Sequence, residues 1–101
     1  MLNNFVNLGI SKEIVKALTD ISIEIPTEIQ AKAIPIILNE THDFVGLAKT
    51  GTGKTAAFGL PLLQLIDLKS NAIQVVILVP TRELGQQILS NFKLFSKYLP
   101  Y

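Results

Sequence analysis

Apolar positions along this chain follow two different rhythms, and the change of rhythm outlines its elements. Ile14, Val15 and Leu18 recur at helical spacing across residues 11–19, with Ser11 placed to cap that helix. Upstream, Phe5, Val6, Leu8 and Ile10 are apolar but irregular, and taken alone Phe5 reads as core. Pro26 restricts the residue before it, and Thr27 can cap a helix over residues 28–34. Pro35 should interrupt that helix, leaving residues 36–39 as a second short helical stretch before the polar turn at 40–43.

A short apolar strand is expected at Phe44-Val45-Gly46-Leu47, and a helix from Lys54 to about Ile66. That helix is apolar around much of its circumference, as one packed on a sheet should be, with Pro61 as a tolerated kink. Residues 72–79 are continuous and rich in β-branched side chains, the pattern of a strand covered on both faces in a parallel sheet. Pro80 ends it. Thr81 then caps a long helix whose stripe is Leu84, Ile88, Phe92, Phe95 and Leu99, weakened by Gly85 by about 1 kcal/mol relative to Ala. The chain stops where a βαβ pattern calls for another strand, so the expected fold class is a truncated α/β unit.

Composition narrows the setting. A chain of 101 residues has room for one small domain, and 49% hydrophobic residues suggests surfaces that expect more protein to cover them. The apolar runs fall far short of the ~20 residues of a membrane helix, so no membrane partner is expected. With no signal-like N-terminus and no cysteine, the expected compartment is the cytoplasm. Nine basic against eight acidic residues leave a net charge of +1, so any nucleic-acid binding must rest on particular residues. His42, the single histidine, has no Ser, Cys or metal-ligand partner at useful spacing and reads as a solvent-facing loop residue.

Three clusters carry candidate chemistry. Ala48-Lys49-Thr50-Gly51-Thr52-Gly53-Lys54-Thr55 lies between the expected strand and helix, the order a phosphate-binding loop requires. Gly51 and Gly53 let backbone N–H groups converge on an anion at the positive end of the helix, Lys54 adds a point charge, and Thr55 offers a hydroxyl to Mg²⁺. Gln30 is a candidate base reader: its amide can accept from adenine N6 and donate to N7, a pairing guanine cannot satisfy. By itself, however, a Gln early in a helix is commonly a solvated face. Pro80-Thr81-Arg82-Glu83 sits where a strand end meets a helix start, the edge where open α/β sheets bind ligands, and would suit a sugar-phosphate backbone. The alternative is a capped helix with a local Arg82–Glu83 surface pair.

In this order and spacing, the clusters resemble the DEAD-box RNA helicases. Pro26-Thr27-Glu28-Ile29-Gln30 looks like that family's Q motif, with Phe5 at the upstream aromatic position, within a region 5–38. Residues 48–55 are similar to motif I, which characteristically begins with Ala, within a unit 43–67. Pro80-Thr81-Arg82-Glu83-Leu84 matches motif Ia, within a strand-helix pair 72–99. Ala33-Ile34-Pro35 and Thr55-Ala56-Ala57-Phe58 fit as well.

The resemblance implies the N-terminal portion of a P-loop NTPase (RecA-like) domain, a parallel sheet with flanking helices, in an ATP-dependent RNA helicase that remodels duplexes. It implies ATP and Mg²⁺ as cofactors and RNA as partner, gripped by its backbone without sequence reading. Phe5, Thr27 and Gln30 would contact adenine and the loop; Lys49, Thr50, Gly51, Thr52, Gly53, Lys54 and Thr55 would hold phosphates, with Lys54 and Thr55 catalytic and Thr55 on the metal. Pro80, Thr81 and Arg82 would touch RNA. Ser22-Ile23 stands where the family usually has Gly and an aromatic. The Asp-Glu-Ala-Asp segment, the Ser-Ala-Thr motif and the second RecA-like domain are absent, so these residues alone should not hydrolyse ATP. The family's fold places further strands between the two expected here, so unpaired edges and self-association are expected. A small P-loop kinase or transport ATPase, and a non-enzymatic RNA- or partner-binding module, are the competing readings.

Overall fold

A computed structural model describes residues 3–40, 43–49 and 51–101. His42 and Thr50, both singled out in the sequence, lie outside the described residues.

The chain opens with a short 3-10 helix, Asn4–Leu8, which seats Phe5 fully inside the core. Asn3 holds it there. The buried Asn3 amide accepts from Phe5 N at 3.0 Å and donates to Ile23 O at 2.7 Å and Thr19 Oγ1 at 3.2 Å, leaving no orphaned polar atom. Helix α1, Lys12–Asp20, buries Ile14, Ala17 and Leu18 at spacings of three and four. Ser11 stands at its N-cap, but its hydroxyl makes no capping bond.

After α1 the backbone at Ser22 takes φ 61°, a left-handed conformation that costs a residue with a Cβ about 1–2 kcal/mol. Ser22 stands where the resemblance expects Gly, and the backbone there has the shape a Gly prefers. Replacing it by Gly should stabilise the protein by about 0.5–1 kcal/mol, the relieved strain outweighing the added chain entropy of the unfolded state. Urea denaturation of Ser22→Gly checks this, and an unchanged or lower midpoint would contradict it.

Helix α2, Glu28–Asn39, corrects the expected interruption at Pro35, because the helix runs through it. Ala33 and Ile34 are buried on its inner face and Leu38 packs on the core beyond the proline, so tertiary contact grips both sides of the missing bond. Helix α3, Lys54–Leu65, likewise continues across Pro61, with Ala56, Ala57, Gly59, Leu60 and Pro61 buried. Helix α4, Arg82–Phe95, is capped by the Thr81 hydroxyl on Leu84 N at 3.2 Å and buries Ile88 and Phe95. It ends before Leu99, the last position of the expected stripe, although Leu99 still packs against the core.

Helices α2 and α3 form the main packed pair, α1 lies on α4, and α3 meets α4 where Gly59 lets Phe92 approach. A Cβ at Gly59 would stand 2.6 Å from Phe92 Cε1. The shared core gathers Phe5, Ile14, Leu18, Ile34, Leu60 and Phe95. At the rim, Asp20 accepts from the Tyr98 hydroxyl and from Lys97 Nζ at 3.4 Å, and these contacts hold its carboxyl below the usual carboxylate range.

The expected parallel sheet does not form among the described residues. Residues 43–49 and 73–79 have no regular secondary structure, and no backbone-to-backbone hydrogen bond involves residues 73–79. Exposure nevertheless alternates as in a strand: Val75, Ile77 and Val79 are half-buried, while Val76 and Leu78 are 74% and 91% exposed. The physical cause is the absence of a neighbour. A strand's N–H and C=O groups are satisfied only by another strand alongside, and these two segments do not pair with each other.

Candidate nucleotide-binding site

The site is built at the start of α3. Gly51 and Gly53 both take left-handed conformations, φ 81° and 84°. A Cβ at Gly51 would meet nothing within 4 Å, so only its backbone shape calls for glycine. Gly53 is constrained twice, because a Cβ there would also fall 2.2 Å from Gln30 Nε2. As the N-cap of α3 it offers no side chain to the first-turn N–H groups, which are left to face whatever binds the loop.

Gln30 joins the two helices. In α2 it completes a capping box with Thr27: Gln30 N donates to Thr27 Oγ1 at 3.4 Å, and Thr27 N donates to Gln30 Oε1 at 2.9 Å. Its Nε2 then crosses to Gly53 O at 3.0 Å. Both ends of the amide are thus engaged by protein, in a residue only 5% exposed. One lone pair and one N–H remain, so a base would meet an amide already oriented by Thr27 and the loop.

The loop's own side chains turn inward. Lys54 Nζ donates to Ala48 O at 2.8 Å, and Thr52 Oγ1 donates to Lys49 O at 2.7 Å. The Lys54 ammonium therefore stands over the loop on a neutral carbonyl, an acceptor that a phosphate oxygen would displace by charge. Lys49 is exposed and Thr55 half-buried at the start of α3.

The other sequence candidates stand apart from this cluster. Phe5 is wholly enclosed in the core, so it offers no surface to a base and its visible role is packing. Pro80, Thr81 and Arg82 are exposed, and among the described residues no hydrogen bond or ion pair joins them to the loop. Arg82 and Glu83 form no ion pair, so the local surface pair considered for them is not made among the described residues. The resemblance put Gln30 against the loop without naming the atom it meets, which is Gly53 O; sequence reasoning missed Asn3 and Gln64, since a polar side chain bonding distant backbone leaves no periodic signal.

The DEAD/DEAH box helicase family model matches residues 27–101, which include the Thr27–Gln30 box, the glycine loop and the Thr81 cap. The chain belongs to this family. It is 47% identical over 95 residues to the ATP-dependent RNA helicase DeaD of Escherichia coli, covering 94% of this chain and 15% of that protein. Against the DEAD-box ATP-dependent RNA helicase CshA of Geobacillus kaustophilus it is 45% identical over 87 residues, 86% of this chain and 18% of the relative. It therefore spans less than a fifth of these relatives' length.

Solved structures agree with this placement. Dbp5 of Saccharomyces cerevisiae, bound to RNA and ADP BeF3, superposes with TM-score 0.89 at 32% identity over 95% of this chain and 25% of that one. A DEAD box protein from Methanococcus jannaschii gives 0.84 at 41% identity over 90% of this chain and 25% of that one. The neighbours are RecA-like helicase domains, so the family's architecture is followed here by the helices and the loop.

Proposed function

We propose that these residues supply the ATP-binding loop and part of the RNA-contacting surface of an ATP-dependent RNA helicase. The observation that carries this reading is the Gln30 bridge, which ties a base-side helix to the phosphate loop in a member of the DEAD/DEAH box family. The loop suits a nucleotide: two left-handed glycines, an uncapped helix start and a lysine on a displaceable carbonyl. Lys49, Thr50, Gly51, Thr52 and Gly53 would cradle the phosphates, Lys54 would neutralise them, and Thr55 would hold Mg²⁺, whose charge offsets that of the outer phosphates. Thr27 and Gln30 would meet the adenine. Phe5 contributes from beneath by packing the segment that carries them.

Pro80, Thr81 and Arg82 would grip an RNA backbone without reading its bases, since a guanidinium, a hydroxyl and N–H groups recognise phosphate rather than sequence. Specificity is tested with a panel of fluorescent ATP, GTP, CTP and UTP. The expected result is a preference for ATP that shrinks by about tenfold in Gln30→Ala, the effect of losing an oriented hydrogen bond to the base. Indifference to the base in the unaltered chain would favour a different P-loop enzyme.

The 101 residues on their own should show no ATP turnover above background, because the Asp-Glu-Ala-Asp carboxylates to which the family resemblance gives Mg²⁺ and the attacking water are not among them. We expect them to self-associate through the unpaired segments at 44–47 and 73–79. Phosphate release and light scattering on the purified chain check both. Turnover abolished by Lys54→Ala, or a monomer at high concentration, would contradict the respective expectation.

A further inference from the structure

Helix α3 carries the phosphate loop but has little that would hold it together as a helix by itself. Its N-cap is Gly53, with no side-chain capping bond, and Ile66 follows its last turn in an extended conformation. Gly59 and Pro61 are two of the poorest helix formers, and Pro61 has no N–H to give to the Ala57 carbonyl. Beyond the proline, the last turn must be held from outside.

Gln64 holds it. Its Oε1 accepts from Ser11 N at 2.8 Å and its Nε2 donates to Gly9 O at 2.7 Å. These two groups flank Ile10, which is buried, so a single side chain pins the backbone on both sides of a core residue. Gln30 does the equivalent at the opposite end of α3, through Gly53 O. The near end of a weak helix is thus fastened to α2 and its far end to residues 9–11, each by a glutamine amide bonded to backbone.

We infer that Gln64 is a positioning residue for the phosphate loop, acting through α3 without touching the nucleotide. Helix formation is cooperative, and a helix cut back to the residues before Pro61 is too short to persist by its own hydrogen bonds. Releasing the far turn therefore loosens the near one, where Ala57 N bonds Gly53 O at 3.1 Å. This rests on the nucleotide-binding reading above, but it also makes a claim about the unliganded chain.

Two variants remove the tie from opposite sides. Gln64→Met keeps the length and helix propensity of the side chain while deleting both bonds. Ser11→Pro deletes only the N–H, at a backbone φ of −66° that proline already favours. In each, hydrogen exchange at the Ala57 amide is measured without ligand, and the dissociation constant for a fluorescent adenine nucleotide with Mg²⁺ is measured on folded protein. Faster Ala57 exchange is expected in both, with binding weakened about fivefold to tenfold in Gln64→Met, less in Ser11→Pro, and no further loss in the double variant. A lower melting temperature with unchanged Ala57 exchange and unchanged affinity would overturn the inference, as would losses that add in the double variant. If the unaltered chain binds no nucleotide, the functional reading fails, and Ala57 exchange alone decides the role of Gln64.

Discussion

Gly53→Ala should lower nucleotide affinity by about a hundredfold and destabilise the chain by about 2–4 kcal/mol. Two effects act together. The left-handed backbone at φ 84° is strained for any residue with a Cβ, and the new methyl would stand 2.2 Å from Gln30 Nε2, a distance no real contact tolerates. The amide must swing away, breaking its bond to Gly53 O and disturbing the one it accepts from Thr27 N. Gly51→Ala is the internal control, since φ is 81° there and nothing lies within 4 Å. It should show only the backbone cost of about 1–2 kcal/mol and leave Gln30 in place. Urea denaturation and calorimetric titration with MgATP separate the two variants, and equal losses in both would rule out the Gln30 contact as the cause.

Leu60→Ala should cost about 2–5 kcal/mol, the range for emptying a fully enclosed leucine site. Leu60 is 0% exposed and belongs to the shared core with Phe5, Ile14, Leu18, Ile34 and Phe95. A chain of this size has a total margin of about 5–15 kcal/mol, so the substitution should leave much of the population unfolded at modest urea. Leu65→Ala, at the 53% exposed end of the same helix, should change stability by no more than about 0.5 kcal/mol. If the two variants unfold at the same urea concentration, α3 does not face the core as described.

Local chemistry was legible without coordinates. Thr27 and Thr81 signalled helix starts because a hydroxyl before an apolar-periodic run satisfies the first orphan N–H groups, and both do so. Gly51 and Gly53 signalled positive φ, and both have it. These features depend on a few consecutive residues. Pro35 misled because a proline rule is also local, whereas the helix through it is decided by Ile34 and Leu38 packing on either side.

The sequence by itself determined where the α-helices begin, which faces of α1 and α4 are apolar, that Gly51 and Gly53 shape the approach to a helix start, and the family these motifs resemble. Tertiary structure decided the rest. It fixed Gly53 O as the loop atom that the Gln30 amide meets, and sent Gln64 back to Gly9 and Ser11. It also left residues 73–79 unpaired despite an alternation that suits a strand. The reason is common to all of these: capping and backbone shape are settled within a turn of chain, but burial, cross-chain hydrogen bonds and strand pairing need a partner distant in sequence, and only the folded chain specifies which partner is there.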